Sequence, residues 1–101
     1  MIAEFSVVPV GKGEELAELV AAVVDIVDRS GLPYQLTAMG TLVEGEWDVV
    51  LALIKKCHLK MRQHNARVLT RISIDDREKA LNRLAGKVQD VEKALGRELR
   101  K

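Results

Sequence analysis

The pattern of apolar and polar residues along the chain changes period several times, and these changes predict the order of the secondary-structure elements. Residues Ile2 to Val8 are apolar except at Glu4 and Ser6, which is typical of a central strand. Pro9 ends this strand because proline cannot donate to a sheet ladder. From Glu14 to Arg29 the apolar residues recur at spacings of three and four, which predicts an amphipathic helix.

The segment from Tyr34 to Trp47 predicts a hairpin followed by the start of a second helix. Tyr34, Leu36 and Ala38 alternate with more polar positions, a period of two that indicates a strand. Gly40 is expected to supply the backbone freedom for a sharp reversal or a bulge. β-Favouring residues resume directly after it, and the acidic residues before the tryptophan suit a helix N-terminus.

The second half of the chain predicts a helix, a strand and a further helix. The predicted helix spans Glu46 to Arg62, and the strand from Arg67 to Asp75 alternates strictly between two faces. A third helix is predicted over Glu78 to Leu99. The order βαββαβα, with right-handed crossovers, predicts an α+β fold: the ferredoxin-like split βαβ arrangement (βαββαβ) with an added C-terminal helix.

Two apolar surfaces of this fold would remain uncovered in a single chain. The third helix carries a narrow heptad seam, formed by Leu81, Leu84, Val88, Val91 and Leu95. This seam indicates packing on another helix, which a neighbouring subunit could supply. On the sheet face away from the helices, Leu69 and Phe5 or another residue of the first strand are expected to be exposed in a monomer. The pattern therefore favours a homo-oligomer.

The composition narrows the functional classes. The 101 residues suit one domain spanning positions 1–101, and a net charge of +1 gives no case for nucleic acid or an anionic membrane as a partner. The single Cys57 excludes an intrachain disulfide framework and fits a reducing cytoplasm. No leader segment and no apolar run of membrane-spanning length is evident, so a cytoplasmic location is expected.

No catalytic or metal-binding motif emerges from the residue spacings. Cys57 and His58 could form a nucleophile–base pair, but adjacent helical residues point about 100° apart. Both also fall on the apolar stripe of the second predicted helix, which favours a structural or pocket-lining role. Gly11 and Gly13 fit neither a dinucleotide fingerprint nor a phosphate loop. The sequence therefore predicts no catalytic residues, no metal site and no cofactor, and a protein that is not an enzyme.

One composite motif identifies a family. The pattern Tyr-x-Leu-x-x-Met-Gly-Thr-x-x-Glu-Gly-Glu-Trp at positions 34–47, followed by Cys57-His58, resembles the small thiamine-binding protein family. The likeness extends over nearly the whole chain. It implies the same ferredoxin-like fold, a homotetramer built from dimers, and non-enzymatic binding of thiamine or its hydroxymethylpyrimidine moiety.

The resemblance and the residue chemistry together suggest a set of ligand-binding residues. These are Ser6, Thr37, Met39, Thr41, Glu44 and Trp47. Glu44 could accept hydrogen bonds from an aminopyrimidine or balance a thiazolium cation, and its alternative is a structural role in closing the hairpin. Trp47 could stack on a heteroaromatic ring or serve as a core anchor. Met39 and Thr41 could equally be plain hairpin residues.

Two alternatives remain open at this point. The protein could be a structural or regulatory oligomer without a dedicated small-molecule ligand. Arg71, Asp75 and Arg77 could bind a phosphate or pair across a subunit interface, and the predicted position of Arg71 on the outer sheet face favours interchain pairing.

Overall fold

The elements follow the predicted order in the computed structural model of the chain, which describes residues 1–11, 16–78 and 83–100. The strands are β1 (Ile2–Pro9), β2 (Tyr34–Leu36), β3 (Thr41–Glu44) and β4 (Val68–Asp75), and the helices are α1 (Leu16–Arg29), α2 (Trp47–Arg62) and α3 (Arg83–Leu95). The strands form one antiparallel sheet in the order β2-β3-β1-β4. The α+β, ferredoxin-like fold with an added C-terminal helix is thereby confirmed.

The central strand β1 has one face under the helices and one face away from them. Ala3 and Phe5 are almost completely buried, whereas Val8 and its β4 partner Leu69 are 45% and 44% exposed. Of the two expected possibilities, Phe5 or another residue of the first strand beside Leu69, the structure has the second: Val8 is the exposed residue, and Phe5 is buried. Phe5 and its β4 partner Ile72 lie three positions from Val8 and Leu69, and an odd offset along a strand places their side chains on the opposite face.

The core lies between the sheet and the two helices α1 and α2. Its buried apolar residues are Ala3, Phe5, Val23, Val27, Val43, Val50, Leu53, Ile54, Cys57 and Met61. Tyr34 packs at the margin of this cluster, and its hydroxyl donates to Asp28 Oδ1 at 2.8 Å, which joins β2 to the end of α1. Hydrogen bonding to this carboxylate raises the pKa of the Tyr34 hydroxyl.

Two element ends differ from the predicted ones by more than one residue, each for a local reason. β2 stops at Leu36 because the next residues form a tight turn. α3 stops at Leu95, four residues before its predicted end, because Gly96 adopts a φ of 74° and its N–H donates to Glu92 O at 2.9 Å. The predicted starts of the first and third helices, which include Glu14 and Leu81, lie outside the described residues.

Helix α3 is attached to the rest of the fold at its N-terminal end. None of the described residues of α3 is fully buried, and Val91 and Leu95 are 49% and 51% exposed. The heptad seam therefore lacks a helical partner within the described part of the chain. Across those same described residues, no helix combines the length and hydropathy that crossing a lipid bilayer requires.

Candidate functional site

A cleft opens where the central strand continues beyond its neighbour. The pairing of β1 with β3 runs from Ile2 and ends at Phe5, whereas the pairing of β1 with β4 continues to Pro9. The β2–β3 turn diverges from β1 at this point, and helix α1 covers the space between them. The resulting cleft has a volume of about 280 Å³. Its walls are formed by residues 5–8, residues 36–41, and Val20, Val23 and Val24 of α1.

The turn at one side of the cleft is organised by the side chain of Thr37. Its Oγ1 donates to Gly40 O at 2.9 Å and accepts the N–H groups of Met39 and Gly40 at 3.2 and 3.1 Å. The Thr37 N–H also donates to Gly40 O at 2.9 Å. Such local side-chain bonds replace a strand ladder with a compact turn. Thr37 therefore shapes the cleft through the backbone, and its hydroxyl is already engaged.

Gly40 is required for a different reason from the one that the sequence suggested. Its φ is not in the left-handed region, so the position does not depend on the backbone freedom of glycine. A Cβ at this position would lie 2.8 Å from the backbone oxygen of Phe5. Glycine is needed here because the backbone at Gly40 approaches the backbone of Phe5 in β1 closely, and both residues border the cleft.

Four of the six predicted ligand-binding residues come together at the cleft, namely Ser6, Thr37, Met39 and Thr41. Thr41 is buried at 9% exposure, and Met39 stands at the rim with 83% of its surface exposed. Trp47 lies away from the cleft as the first residue of α2 and is 50% exposed, so it is not the core anchor considered above.

The sixth residue, Glu44, lies at a different place, on the outer side of the sheet. It is 8% exposed, and its two carboxylate oxygens accept the backbone N–H groups of Arg83 at 2.6 Å and Leu84 at 3.3 Å. These are the first two residues of α3, whose N–H groups have no partner within the helix. The visible role of Glu44 is to cap α3, not to close the hairpin. Its ligand-binding role stays a prediction from the family resemblance.

Glu44 also borders a second, strongly charged cavity of about 220 Å³ near the chain's amino terminus. Lys87 Nζ lies 2.7 Å from Asp75 Oδ2 there, and this hydrogen bond holds the pKa of Asp75 below its ordinary value. Arg83 pairs in turn with Asp90 at 3.0 Å. Three of the charged side chains that border this cavity, Asp75, Lys87 and Arg83, are therefore engaged in ion pairs, whereas the 280 Å³ cleft has mainly apolar walls.

Cys57 and His58 do not form a common site. The Cys57 side chain is fully buried, its Sγ lies 3.9 Å from Val23 O, and burial raises the pKa of the thiol to about 11. The ring of His58 points to β4, where Nδ1 lies 2.6 Å from Thr70 Oγ1. The burial of Cys57 within the core cluster is consistent with a structural role. Within the three described ranges, no group of three or more His, Cys, Asp or Glu residues could hold a metal ion.

The sequence reasoning missed part of the cleft wall. Val20 and Val24 of α1 and the β1 residue Val7 border the cleft, although Val20 belongs to the amphipathic pattern of three- and four-residue spacings, which predicts that it faces the core. Val20 is 44% exposed because it faces the opening instead of the core. One signal was available: β1 was predicted to be longer than the strand after Gly40, so part of its edge had to lack a neighbour.

Comparisons with known proteins agree with this fold and with the composite motif. The family described as "Thiamine-binding protein" matches residues 3–92. UPF0045 protein MT1949 of Mycobacterium tuberculosis is 35% identical over 96 residues, which cover 94% of each chain. The crystal structure of a hypothetical protein, MJ1052 from Methanocaldococcus jannaschii, superposes with a TM-score of 0.76 at 29% identity and covers 94% of both chains.

A third comparison concerns the fold alone. A crystal structure from Thermotoga maritima, provisionally named a thiamine biosynthesis/salvage protein, has a TM-score of 0.78 at 21% identity. It covers 89% of this chain, and 96% of the Thermotoga chain is matched. The sheet and helices that enclose the cleft therefore belong to an arrangement shared by distant sequences.

Proposed function

Since the chain belongs to the thiamine-binding protein family, we propose that it binds a small heteroaromatic ligand, thiamine or its hydroxymethylpyrimidine moiety, without catalysing a reaction. The cleft between β1, the β2–β3 turn and α1 is the proposed site. The observation that carries the proposal is the convergence at this cleft of Ser6, Thr37, Met39 and Thr41, four of the residues that the sequence predicts to bind the ligand.

The size and the walls of the cleft suit such a ligand. Small-molecule sites typically have volumes of about 300–1,000 Å³, apolar walls and a few polar groups that fix orientation. The volume of about 280 Å³ lies at the lower end of this range. Val7 and the α1 valines would hold the ring, the Thr41 hydroxyl is the available polar side-chain group, and Met39 at the rim could fold over the ligand. Ser6 alternates with Phe5 and Val7 along β1, so its hydroxyl lies on the outer sheet face and Ser6 would border the ligand through its backbone.

The reactive groups of the chain support binding over catalysis. The Cys57 thiol is buried with a raised pKa, which disfavours the nucleophilic thiolate. His58 is engaged with Thr70 on β4. Neither residue borders the cleft. We place the protein in the cytoplasm, where a single reduced thiol is expected to persist.

We further propose that the binding unit is a homo-oligomer, a tetramer built from two dimers. Two exposed apolar surfaces support this: Val8 and Leu69 on the outer sheet face, and Val91 and Leu95 on α3. Surfaces of this kind usually mark interaction sites. Light scattering after size-exclusion chromatography should give four times the monomer mass. Leu69→Glu should lower that mass, and a monomeric unmodified protein would rule out this part of the proposal.

The binding proposal is tested by thermal-shift titration with thiamine, hydroxymethylpyrimidine and thiamine diphosphate. A ligand that binds only the native state adds about 2.7 kcal/mol of stability at 100 times its dissociation constant. We expect a saturable shift with thiamine or hydroxymethylpyrimidine. Val20→Trp should abolish the shift by filling the cleft, and Val49→Trp is the matched control because Val49 is 50% exposed on α2, away from the cleft.

Two outcomes would count against the proposal. No shift with any of the three compounds would favour an assembly protein without a dedicated ligand. A shift that survives in Val20→Trp would place the ligand outside the cleft.

A further inference from the structure

Hydrogen bonds at both ends of β1 show which of its residues direct their backbone N–H and C=O groups to β3 and which direct them to β4. At one end the N-terminal amine of Met1 donates to Gly45 O at 2.9 Å and the Gly45 N–H donates to Met1 O at 3.1 Å. At the other end the Val10 N–H donates to Arg67 O at 2.9 Å. Because successive residues of an antiparallel strand direct their backbone groups to opposite neighbours, odd-numbered residues bond toward β3 and even-numbered residues toward β4.

This alternation leaves the backbone N–H and C=O of Val7 without a hydrogen-bonding strand partner, although Val7 lies opposite Thr70 of β4. The N–H and C=O of Val7 point toward the β3 side, where the register would bring Met39 opposite Val7. Met39 instead belongs to the turn, and β3 begins only at Thr41. Among residues 1–11, 16–78 and 83–100, no hydrogen bond to the Val7 N–H is formed. Val7 lines the cleft, so this donor and acceptor face the proposed ligand site.

Beyond the end of its pairing with β3, β1 offers a free backbone N–H and C=O together at only one of the described residues, Val7. Pro9 is the next residue in the same phase, and it has no N–H to donate. An extended peptide added along this edge would therefore find one complete donor–acceptor residue, too few for the repeated ladder that strand addition requires. A small planar ligand with one donor beside one acceptor is a better match.

We propose that the Val7 backbone recognises the aminopyrimidine ring, an inference that rests on the proposed function. The exocyclic amino group would donate to Val7 C=O, and the adjacent ring nitrogen would accept from the Val7 N–H. The ring thereby replaces the missing residue of β3 and lies between the turn and α1. The thiazolium ring carries no N–H and cannot make this pair of hydrogen bonds. The recognised group is therefore in the pyrimidine half of thiamine, and hydroxymethylpyrimidine contains all of it.

The first test uses the unmodified protein and a ligand analogue. The dissociation constants of hydroxymethylpyrimidine and of the analogue without the 4-amino group are compared by calorimetry. The analogue leaves Val7 C=O without a donor, and we expect about tenfold weaker binding, which corresponds to roughly 1.4 kcal/mol. Equal affinities would overturn the proposal while leaving ligand binding itself intact.

A second test removes the donor from the protein. Val7→Pro deletes the N–H that faces the cleft. The hydrogen bonds to β4 should remain, because the backbone groups of Val7 point toward the β3 side. Val7→Ala is the matched control, since it shortens the side chain and keeps the N–H. We expect at least tenfold weaker binding of hydroxymethylpyrimidine by Val7→Pro than by Val7→Ala. Equal affinities of the two variants would contradict the inference.

Amide hydrogen exchange of the unmodified protein provides a reading that does not depend on the folding of a variant. In the free protein the Val7 amide should exchange faster than the Val8 amide, because the Val8 N–H points toward β4 and bonds to it. Saturation with hydroxymethylpyrimidine should slow Val7 exchange by at least tenfold. Binding without protection of Val7 would refute this pairing alone, whereas no binding of any pyrimidine would refute both the pairing and the proposed function.

Discussion

Replacement of Glu44 by alanine tests whether this residue is a cap that attaches helix α3 to the fold. The change leaves the N–H groups of Arg83 and Leu84 without the acceptors that now lie 2.6 and 3.3 Å away. Loss of an N-terminal cap costs about 0.5–2 kcal/mol, and a hydrogen bond to a charged group contributes about 1.5–3 kcal/mol. Helix α3 has no fully buried described residue that could compensate. We therefore expect a loss of roughly 2 kcal/mol in the free energy of unfolding.

Urea denaturation followed by circular dichroism, at one fixed protein concentration, measures this loss. Glu44→Gln keeps an oxygen acceptor without the charge and should lose about half as much stability. Glu46→Ala is the matched control, because Glu46 precedes α2 without a side-chain cap bond and should change stability by less than about 0.5 kcal/mol. Equal stabilities of Glu44→Ala and Glu46→Ala would refute the capping role. Glu44 lies outside the cleft, so unchanged binding of hydroxymethylpyrimidine by Glu44→Ala would exclude the ligand-binding role that the family resemblance predicts for it.

Further predictions concern the core, the turn and the charged cavity. With a pKa of about 11, the buried Cys57 should resist alkylation at pH 8 and react only after denaturation; rapid native-state labelling would contradict its burial. Gly40→Ala should destabilise the protein by roughly 1–3 kcal/mol in urea denaturation, because the added Cβ meets the Phe5 oxygen at 2.8 Å; an unchanged midpoint would refute the close approach. Lys87→Ala should raise the pKa of Asp75 in an NMR titration. Since the folded-state pKa of Asp75 is lowered, its contribution to stability is present at neutral pH and is lost as the pH falls through that lowered value.

The fold could be predicted from the sequence because its signals were local and consistent with one another. The period-two strand from Arg67 to Asp75 and the helix from Glu46 to Arg62 each agree with the structure to within one residue at either end. Gly31, with a φ of 77°, ends α1 as expected. The side of β1 on which Phe5 lies could not be predicted, because a strand that is apolar on both faces does not distinguish them.

The candidate site could be predicted only in part, because it depends on contacts between distant segments. The motif around Gly40 led to Met39 and Thr41, which do line the cleft. No local pattern indicated that Glu44 would bond to residues 39 and 40 positions later in the chain. The role of Val7 was equally hidden, because it rests on the backbone and on where a neighbouring strand ends, not on the identity of a side chain.

The most direct test of the central claim is to map the binding of hydroxymethylpyrimidine on the isotope-labelled protein by amide chemical shifts. The account predicts saturable changes confined to residues 5–8, 20–24 and 36–41, which surround the cleft. Changes centred instead on the cavity bordered by Glu44, Asp75 and Lys87, or no changes at millimolar ligand, would contradict it.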